Sequence, residues 1–294
     1  MPELPEVETT VRDLSFINGL FIKKIKLYRK DIRYPIPNQI TTITKNSKIL
    51  KIIRIAKYIV INLDNFHSII IHLGMSGRLK VLSNFQSKEK HDHVDFILNN
   101  KNKITFNDPR RFGIIDIIKT DKIFTSKYFI NQGLDPFNKN FDSKYIYEVF
   151  KKSNSNLKCL LMKQSLICGI GNIYASEILF DSRISPLKKG KNITVKESKR
   201  IYRSIRKVLL LAIKNRGSSL KDYSTIYGTL GNYQNQFKVY NNEGKYIKIN
   251  MLRAKIIKIT QSGRSTFYCP YLQRIKKKWI NYKDHIEFIT ICYY

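Results

Sequence analysis

The sequence begins MPELPEVETT, and its second residue is the first with chemistry to offer. Removal of the initiator Met, usual before a small residue, leaves Pro2 with a free ring nitrogen, a secondary amine. An α-amino group titrates near roughly 8, so about a tenth of it is uncharged at neutral pH, far more than an unperturbed Lys offers. Such an amine is a nucleophile, and Glu3 beside it could donate a proton to whatever it attacks. A plainer role fits the same residues. A proline spares the first turn of a helix an unsatisfied N–H, and Glu3 and Glu6 favour its positive end.

The elements that must position these groups follow in order. Val7, Val11 and Leu14 recur at helical spacing, so a helix is expected from Glu3 to about Leu14. Short β-rich runs come next: LFIKKIKLY, KILKIIRI, KYIVINL, SIIIHL, VDFIL and RFGIIDIIK. Asn, Asp, Gly and Pro separate them, the pattern of an antiparallel sandwich or barrel over residues 1–130. NQGLDPFNKNFD reads as a linker (131–145), after which the periodicity turns helical. In TVKESKRIYRSIRKVLLLAIKNRG, Thr194 and Glu197 form a capping box, Ile201, Ile205, Val208, Ala212 and Ile213 a buried stripe, and Gly217 a stop. YIKINML, AKIIKIT and STFYCPYL return to short strands. The fold class is α+β.

Fifty-four Lys and Arg against 22 Asp and Glu leave a net charge of +32, which points to a polyanion, nucleic acid first. Part of this excess reflects heavy joint use of Lys, Ile and Asn, as an AT-rich genome produces. No run of about 18 apolar residues and no leader pattern is present, so a cytoplasmic protein is expected. Cys159, Cys168, Cys269 and Cys292 have no paired spacing and read as reduced thiols.

Three blocks taken together carry a family likeness: MPELPEVE, then HLGMSGRL with KHDHVD and DPRRFG, then GIGNIYASEILF. They resemble formamidopyrimidine-DNA glycosylase, the bacterial enzyme family that removes oxidised purines from DNA, and the likeness extends from Pro2 to about Gln273. The resemblance implies an N-terminal helix with a β-sandwich, a helix-two-turn-helix domain over 146–240, a β-hairpin finger over 241–273 and an extension over 274–294. Double-stranded DNA carrying an oxidised purine would lie between the domains, bound by a monomer associated with the nucleoid. Pro2 would attack the sugar, Glu3 would protonate the ring oxygen, and Glu6 would help to position the site. Lys57 would be the proton donor in β-elimination, and Arg264 the finger residue that grips phosphate in δ-elimination. Met75, Arg110 and Phe112 would fill the void left by the everted nucleotide. His72, His91, Lys152, Lys158, Asn172 and Tyr240 would meet phosphates. GIGN lacks the third glycine of a dinucleotide loop, since Tyr174 stands there, and it suits a phosphate at a helix N-terminus instead. The loop from Ser218 to about Tyr233 would enclose the flipped base.

The sequence also departs from the family. Members commonly end in a four-cysteine zinc finger, but only Cys269 stands at a ligand position here; Ile247, Asn250 and Leu272 occupy the others. One thiolate cannot hold tetrahedral zinc, so a zincless finger and no cofactor are expected, with Ile247, Ile249, Ile257, Ile259, Phe267 and Tyr268 packing in place of the metal. Lys163 replaces an acid usual in the family. Two other readings fit much of the sequence. An endonuclease VIII-like glycosylase for oxidised pyrimidines shares the proline chemistry, although PELPE in place of PEGPE favours purines. A noncatalytic DNA-damage-binding protein would carry the same charge.

Overall fold

The apolar runs KYIVINL and SIIIHL are continuous where half-buried strands would alternate, and the structure, a computed structural model, gives the reason. It describes residues 2–219, 224–249, 252–274 and 286–288. α1 (Leu4–Asp13) leads into β1 (Phe21–Leu27), a short α2 (Ile40–Ile43), β2 (Ser47–Ile55), β3 (Tyr58–Leu63) and β4 (His67–His72). Successive side chains on a strand face opposite ways. Ile59, Ile61, Ile69 and Ile71 enter one core with Val7, Val11 and Leu14 of α1. Val60 and Ile70 enter another with Tyr128 and Phe129, so β3 and β4 are covered on both faces.

β5 (Arg78–Ser83), β6 (Asp92–Leu98), β7 (Asn102–Asn107) and β8 (Ile114–Lys119) complete an eight-stranded sheet ordered β5-β7-β6-β1-β2-β3-β4-β8. Every pairing is antiparallel. β1 and β2 share only the register pairs Phe21↔Lys48 and Ile22↔Ser47, and at this narrow seam the sheet divides into the two leaves of a sandwich. Strands β5 and β7, RLKVLS and NKITFN, escape a reading of apolar runs because their apolar residues are too sparse to stand out from the loops around them.

The first compact unit covers residues 1–131 and also takes in 211–234. Sequence pattern alone assigns this later segment to the helical domain. Its attachment to the first unit is local and specific: Val81 N–H donates to Ile226 O at 3.2 Å, Arg216 pairs with Asp13 at 2.7 Å, and Ile226 joins the sandwich core.

The second unit comprises residues 132–210 and those after 234. α3 (Ser143–Lys151) begins inside the expected linker, where Asp142 caps it by accepting the N–H of Tyr145 at 2.7 Å. α4 (Leu157–Met162), α5 (Asn172–Asp181) and α6 (Val195–Lys214) follow. The Thr194–Glu197 capping box forms: Glu197 accepts the N–H of Thr194 at 2.9 Å, and Thr194 accepts that of Glu197 at 3.3 Å.

The chain ends in β9 (Tyr246–Ile249), β10 (Leu252–Lys255), β11 (Ile257–Gln261), β12 (Arg264–Tyr268) and β13 (Ile286–Phe288). β11 and β12 form the finger hairpin, turned by Ser262 and Gly263 with φ of 48° and 72°, the pair of left-handed residues a tight hairpin needs. Its packing centres on Val239, Ile256 and Phe267, with Ile247 against them. Of the extension, Arg274 and the β13 backbone lie among the described residues, and β13 pairs with β10. Asn250 and Cys292 lie outside them.

Candidate functional site

α1 places the N-terminal residues by its first turn. Glu3 is the cap, and Glu6 reaches back so that its Oε2 accepts the N–H of Glu3 at 2.8 Å. Pro2, Glu3 and Glu6 are all buried. The other Glu6 oxygen accepts the N–H of Ser218 at 2.8 Å and its hydroxyl at 3.1 Å. Gly217 has φ +75°, and a Cβ there would stand 2.9 Å from Glu6 Oε1, so only glycine permits this approach. The base of the expected lesion-enclosing loop is thereby fixed to the first turn of α1. Residues 220–223 of that loop lie outside the described residues.

Lys57 occupies the turn between β2 and β3 and is 7% exposed. The turn is shaped by Ala56, whose φ is 54°, and by Arg54, which donates to Ala56 O at 3.1 Å and to Glu8 of α1 at 2.9 Å. α1, which follows Pro2, and the turn bearing Lys57 are held together by this guanidinium. Across the β3–β4 ladder, His72 packs on Tyr58 with ring centroids 4.7 Å apart. Its Nδ1 faces the N–H of Gly74 at 3.0 Å and must accept, which leaves Nε2 as the donor. Burial first, then the charges of Lys57 and Arg33, push its pKa down to about 4.

His72 shares a cavity of about 620 Å³ with Arg33, Met75, Arg110 and Phe112. Met75 is 37% and Phe112 42% exposed, and the Arg110 guanidinium lies 5.0 Å from the Phe112 ring centroid. Three residues from two separate loops thus form one half-exposed group. His91 stands apart from it, in a left-handed conformation at φ 69°, with its carbonyl accepting the N–H of Asp108.

In the second unit, Lys158 is 1% exposed, and its ammonium donates to Ser265 O and Thr266 Oγ1 of β12, each at 2.7 Å. A cavity of about 300 Å³ is lined by it together with Lys163 and Arg264, three cationic residues among its lining. Asn172 opens α5 and donates to the Tyr240 hydroxyl at 3.4 Å, while Tyr240 is packed edge-on against Phe237 and Phe267. Lys152 is exposed at the end of α3. No sequence signal singles out Glu177, whose carboxylate accepts three successive backbone N–H groups, from Lys238, Val239 and Tyr240, at 2.8 to 3.0 Å. Ser218 and Asp108 also go unmarked as individual residues in the sequence; each acts through a buried hydrogen bond that spacing does not reveal.

Among the described residues, the finger positions that the family likeness assigns to zinc hold a single possible ligand, Cys269, beside Ile247 and Leu272. Cys269 is fully buried, burial pushes its thiol pKa up, and its N–H is taken by Gln273 Oε1 at 2.9 Å. Ile247 packs into the apolar cluster instead of offering a ligand.

A buried Pro2 beside the carboxylates of Glu3 and Glu6, on a sandwich followed by a helical unit in a strongly basic chain, fits the class of DNA-processing enzymes. Family comparison narrows the class. The family model described as "Formamidopyrimidine-DNA glycosylase N-terminal domain" matches residues 1–115, and that described as "Formamidopyrimidine-DNA glycosylase H2TH domain" matches residues 132–224. Formamidopyrimidine-DNA glycosylase of Roseobacter denitrificans is 39% identical over 283 residues, covering 93% of this chain and 100% of its own. That of Rickettsia conorii is 42% identical over 275 residues, covering 93% and 99%. Among solved structures, a Lactococcus lactis FPG mutant in complex with a Fapy-dG containing DNA superposes with a TM-score of 0.85 at 32% identity, covering 93% of this chain and 100% of its own. The L. lactis enzyme with abasic-site DNA gives 0.85 at 31% over the same shares. The chain belongs to the formamidopyrimidine-DNA glycosylase family.

Proposed function

We propose that this protein is a bifunctional DNA glycosylase and AP lyase of base-excision repair that removes oxidised purines, 8-oxoguanine and formamidopyrimidines, from duplex DNA. The observation that carries the reading is the buried Pro2–Glu3–Glu6 turn, tied through Ser218 to the loop that would cover the lesion. With Met1 removed, the Pro2 nitrogen attacks sugar C1′ and the C1′–N bond to the damaged base breaks. Glu3 gives its proton to the ring oxygen as the sugar opens, leaving an iminium. A secondary amine makes that iminium permanently cationic, so it draws electrons from C2′ and acidifies its proton. Loss of that proton to water forms a C2′=C3′ double bond and breaks the C3′–O bond, expelling the 3′ phosphate, with Lys57 as the proton donor of this elimination. A second elimination expels the 5′ phosphate, with Arg264 gripping it.

Around this chemistry, Met75, Arg110 and Phe112 fill the gap, and Arg110 hydrogen-bonds the orphaned base. His72, His91, Lys152, Lys158, Asn172 and Tyr240 take phosphates. The finger works without zinc, no diffusible cofactor is needed, and the enzyme acts as a cytoplasmic monomer on the nucleoid. Borohydride reduction on lesion DNA tests the core of this: a stable protein–DNA adduct is expected from the wild type and none from Pro2→Thr. Retained Met1 in a fully active preparation would overturn it. About six neutralised phosphates would give log K a slope near ~5 against log salt, and a flat response would assign the basic surface elsewhere.

An oxidised-pyrimidine activity has one observation in its favour. The wild-type L. lactis enzyme has been solved with oxidised pyrimidine containing DNA, at a TM-score of 0.84 to this chain. Excision from duplexes with 8-oxoguanine or thymine glycol separates the two, and faster thymine glycol release would reassign the substrate.

A further inference from the structure

The two turns that carry Met75 and Arg110–Phe112 meet on one buried carboxylate. Asp108 is fully buried just after β7. Its Oδ1 accepts the hydroxyl of Ser76 at 2.6 Å, and its Oδ2 accepts the N–H of Gly113 at 2.8 Å. Ser76 Oγ in turn accepts the N–H of Arg110 at 3.1 Å. One hydroxyl therefore links the residue after Met75 both to the carboxylate and to the Arg110 backbone. Gly74 closes the arrangement from the other side: a Cβ there would collide with the Phe112 carbonyl, so the turns touch backbone to backbone. The side chains of Met75, Arg110 and Phe112 remain at the surface above this buried base.

We propose that Ser76 and Asp108 are positioning residues that set Met75, Arg110 and Phe112 in their relative places before DNA arrives. The proposal rests on the reading of those three as the void-filling group. Filling the stack must keep pace with loss of the everted base, and a group assembled in advance does so without ordering two loops at that moment. Asp108 holds the turns through neutral donors, the hydroxyl of one turn and a backbone N–H of the other, so any loosening of one turn is felt by its neighbour.

Ser76→Ala removes the shared hydroxyl with little change of volume. Asp108→Asn places an amide where two donors converge. Stopped-flow fluorescence of 2-aminopurine beside 8-oxoguanine reads unstacking and void filling, and single-turnover assays read excision. For Ser76→Ala, the fluorescence step and 8-oxoguanine excision are expected to slow together by about tenfold, the scale of losing one buried hydrogen-bond partner. Cleavage of a preformed abasic site, which has no base to unstack, should fall by less than about threefold. Asp108→Asn should follow the same split with a larger effect. Equal loss on both substrates in step with thermal stability, or no loss on either, overturns the proposal. Phe112→Ala separates this failure from failure of the void-filling reading. If Phe112→Ala slows the fluorescence step and Ser76→Ala does not, the positioning role is wrong and the void-filling role stands. If Phe112→Ala leaves that step unchanged, the void-filling role falls and the positioning role with it.

Discussion

Glu6 holds Ser218 by two hydrogen bonds to one carboxylate oxygen, at 2.8 Å from the N–H and 3.1 Å from the hydroxyl. Its other oxygen holds the N–H of Glu3. A carboxylate can accept from both sides; an amide cannot. Glu6→Gln turns an NH₂ toward at least one of these buried donors, a loss of about 1–3 kcal/mol. Single-turnover excision of 8-oxoguanine should slow by about tenfold to a hundredfold. Because the loop base would be freed as well, proteolysis between Gly217 and Tyr233 should quicken. Wild-type excision in Glu6→Gln would show that this carboxylate does not organise the site.

His72 is neutral in the folded protein at any pH near 7, since its pKa is pushed down to about 4. In the unfolded chain a histidine titrates near about 6.5. Between these values the unfolded state binds more protons, so this residue makes stability rise with pH across that window and adds no slope above it. Urea unfolding from pH 4.5 to 7 should show the rise, and His72→Gln should flatten it. DNA affinity, by contrast, should show no titration from His72 between about pH 5.5 and 8. An affinity step near 6.5 lost in His72→Gln would mean that the ring meets phosphate as a cation.

Lys158 braces the finger from α4, with its ammonium on Ser265 O and Thr266 Oγ1. Lys158→Met keeps the length of the side chain and orphans both acceptors. Stability should fall by about 2–4 kcal/mol, on the scale of hydrogen bonds to a charged group. If the same lysine also takes a phosphate, the salt slope of DNA binding should drop by about 1. Denaturation and salt titration of one variant thus read both roles, and an unchanged slope would leave Lys158 as a brace alone.

How much of this is legible in the sequence depends on the kind of signal. α1 and α6 are readable because Val7, Val11 and Leu14, and then Ile201, Ile205 and Val208, repeat at helical spacing and lie buried. The Thr194–Glu197 box is readable because capping is local. Pro2, Glu3 and Lys57 stand out through motifs, and nothing in their spacing announces that Arg54 and Glu8 join the helix to the turn. The pairings of Glu177, Ser218 and Asp108 are hidden for a related reason. Each has a partner far along the chain, Val239, Glu6 and Ser76 in turn, and several of the bonds use a backbone N–H, which every non-proline residue has and no sequence pattern marks. The segment 211–234 reads with its own helix for the same cause: the bonds that attach it to the sandwich span long stretches of the chain.

The proposed zincless finger gives the last prediction. Tetrahedral zinc needs four thiolate, imidazole or carboxylate ligands, but Cys269 has Ile247, Asn250 and Leu272 at the other three positions, and burial favours its neutral thiol. Gln273 takes the Cys269 N–H at 2.9 Å and donates to Ile184 O at 2.9 Å, so a side-chain amide fastens the end of the hairpin to the helical unit. Ile256 and Phe267 pack together with Ile247 against them. Purified protein should therefore contain far less than one equivalent of zinc, and a strong chelator should change neither its melting temperature nor its excision rate. Cys269→Ala should cost about 1 kcal/mol, the ordinary scale of a small buried substitution, and not the loss of folding that removing a structural zinc brings. Gln273→Ala should cost more, about 2 kcal/mol, because it leaves a buried N–H and a buried carbonyl without partners. One bound zinc per chain, or inactivation by the chelator, would overturn this account of how the finger is held.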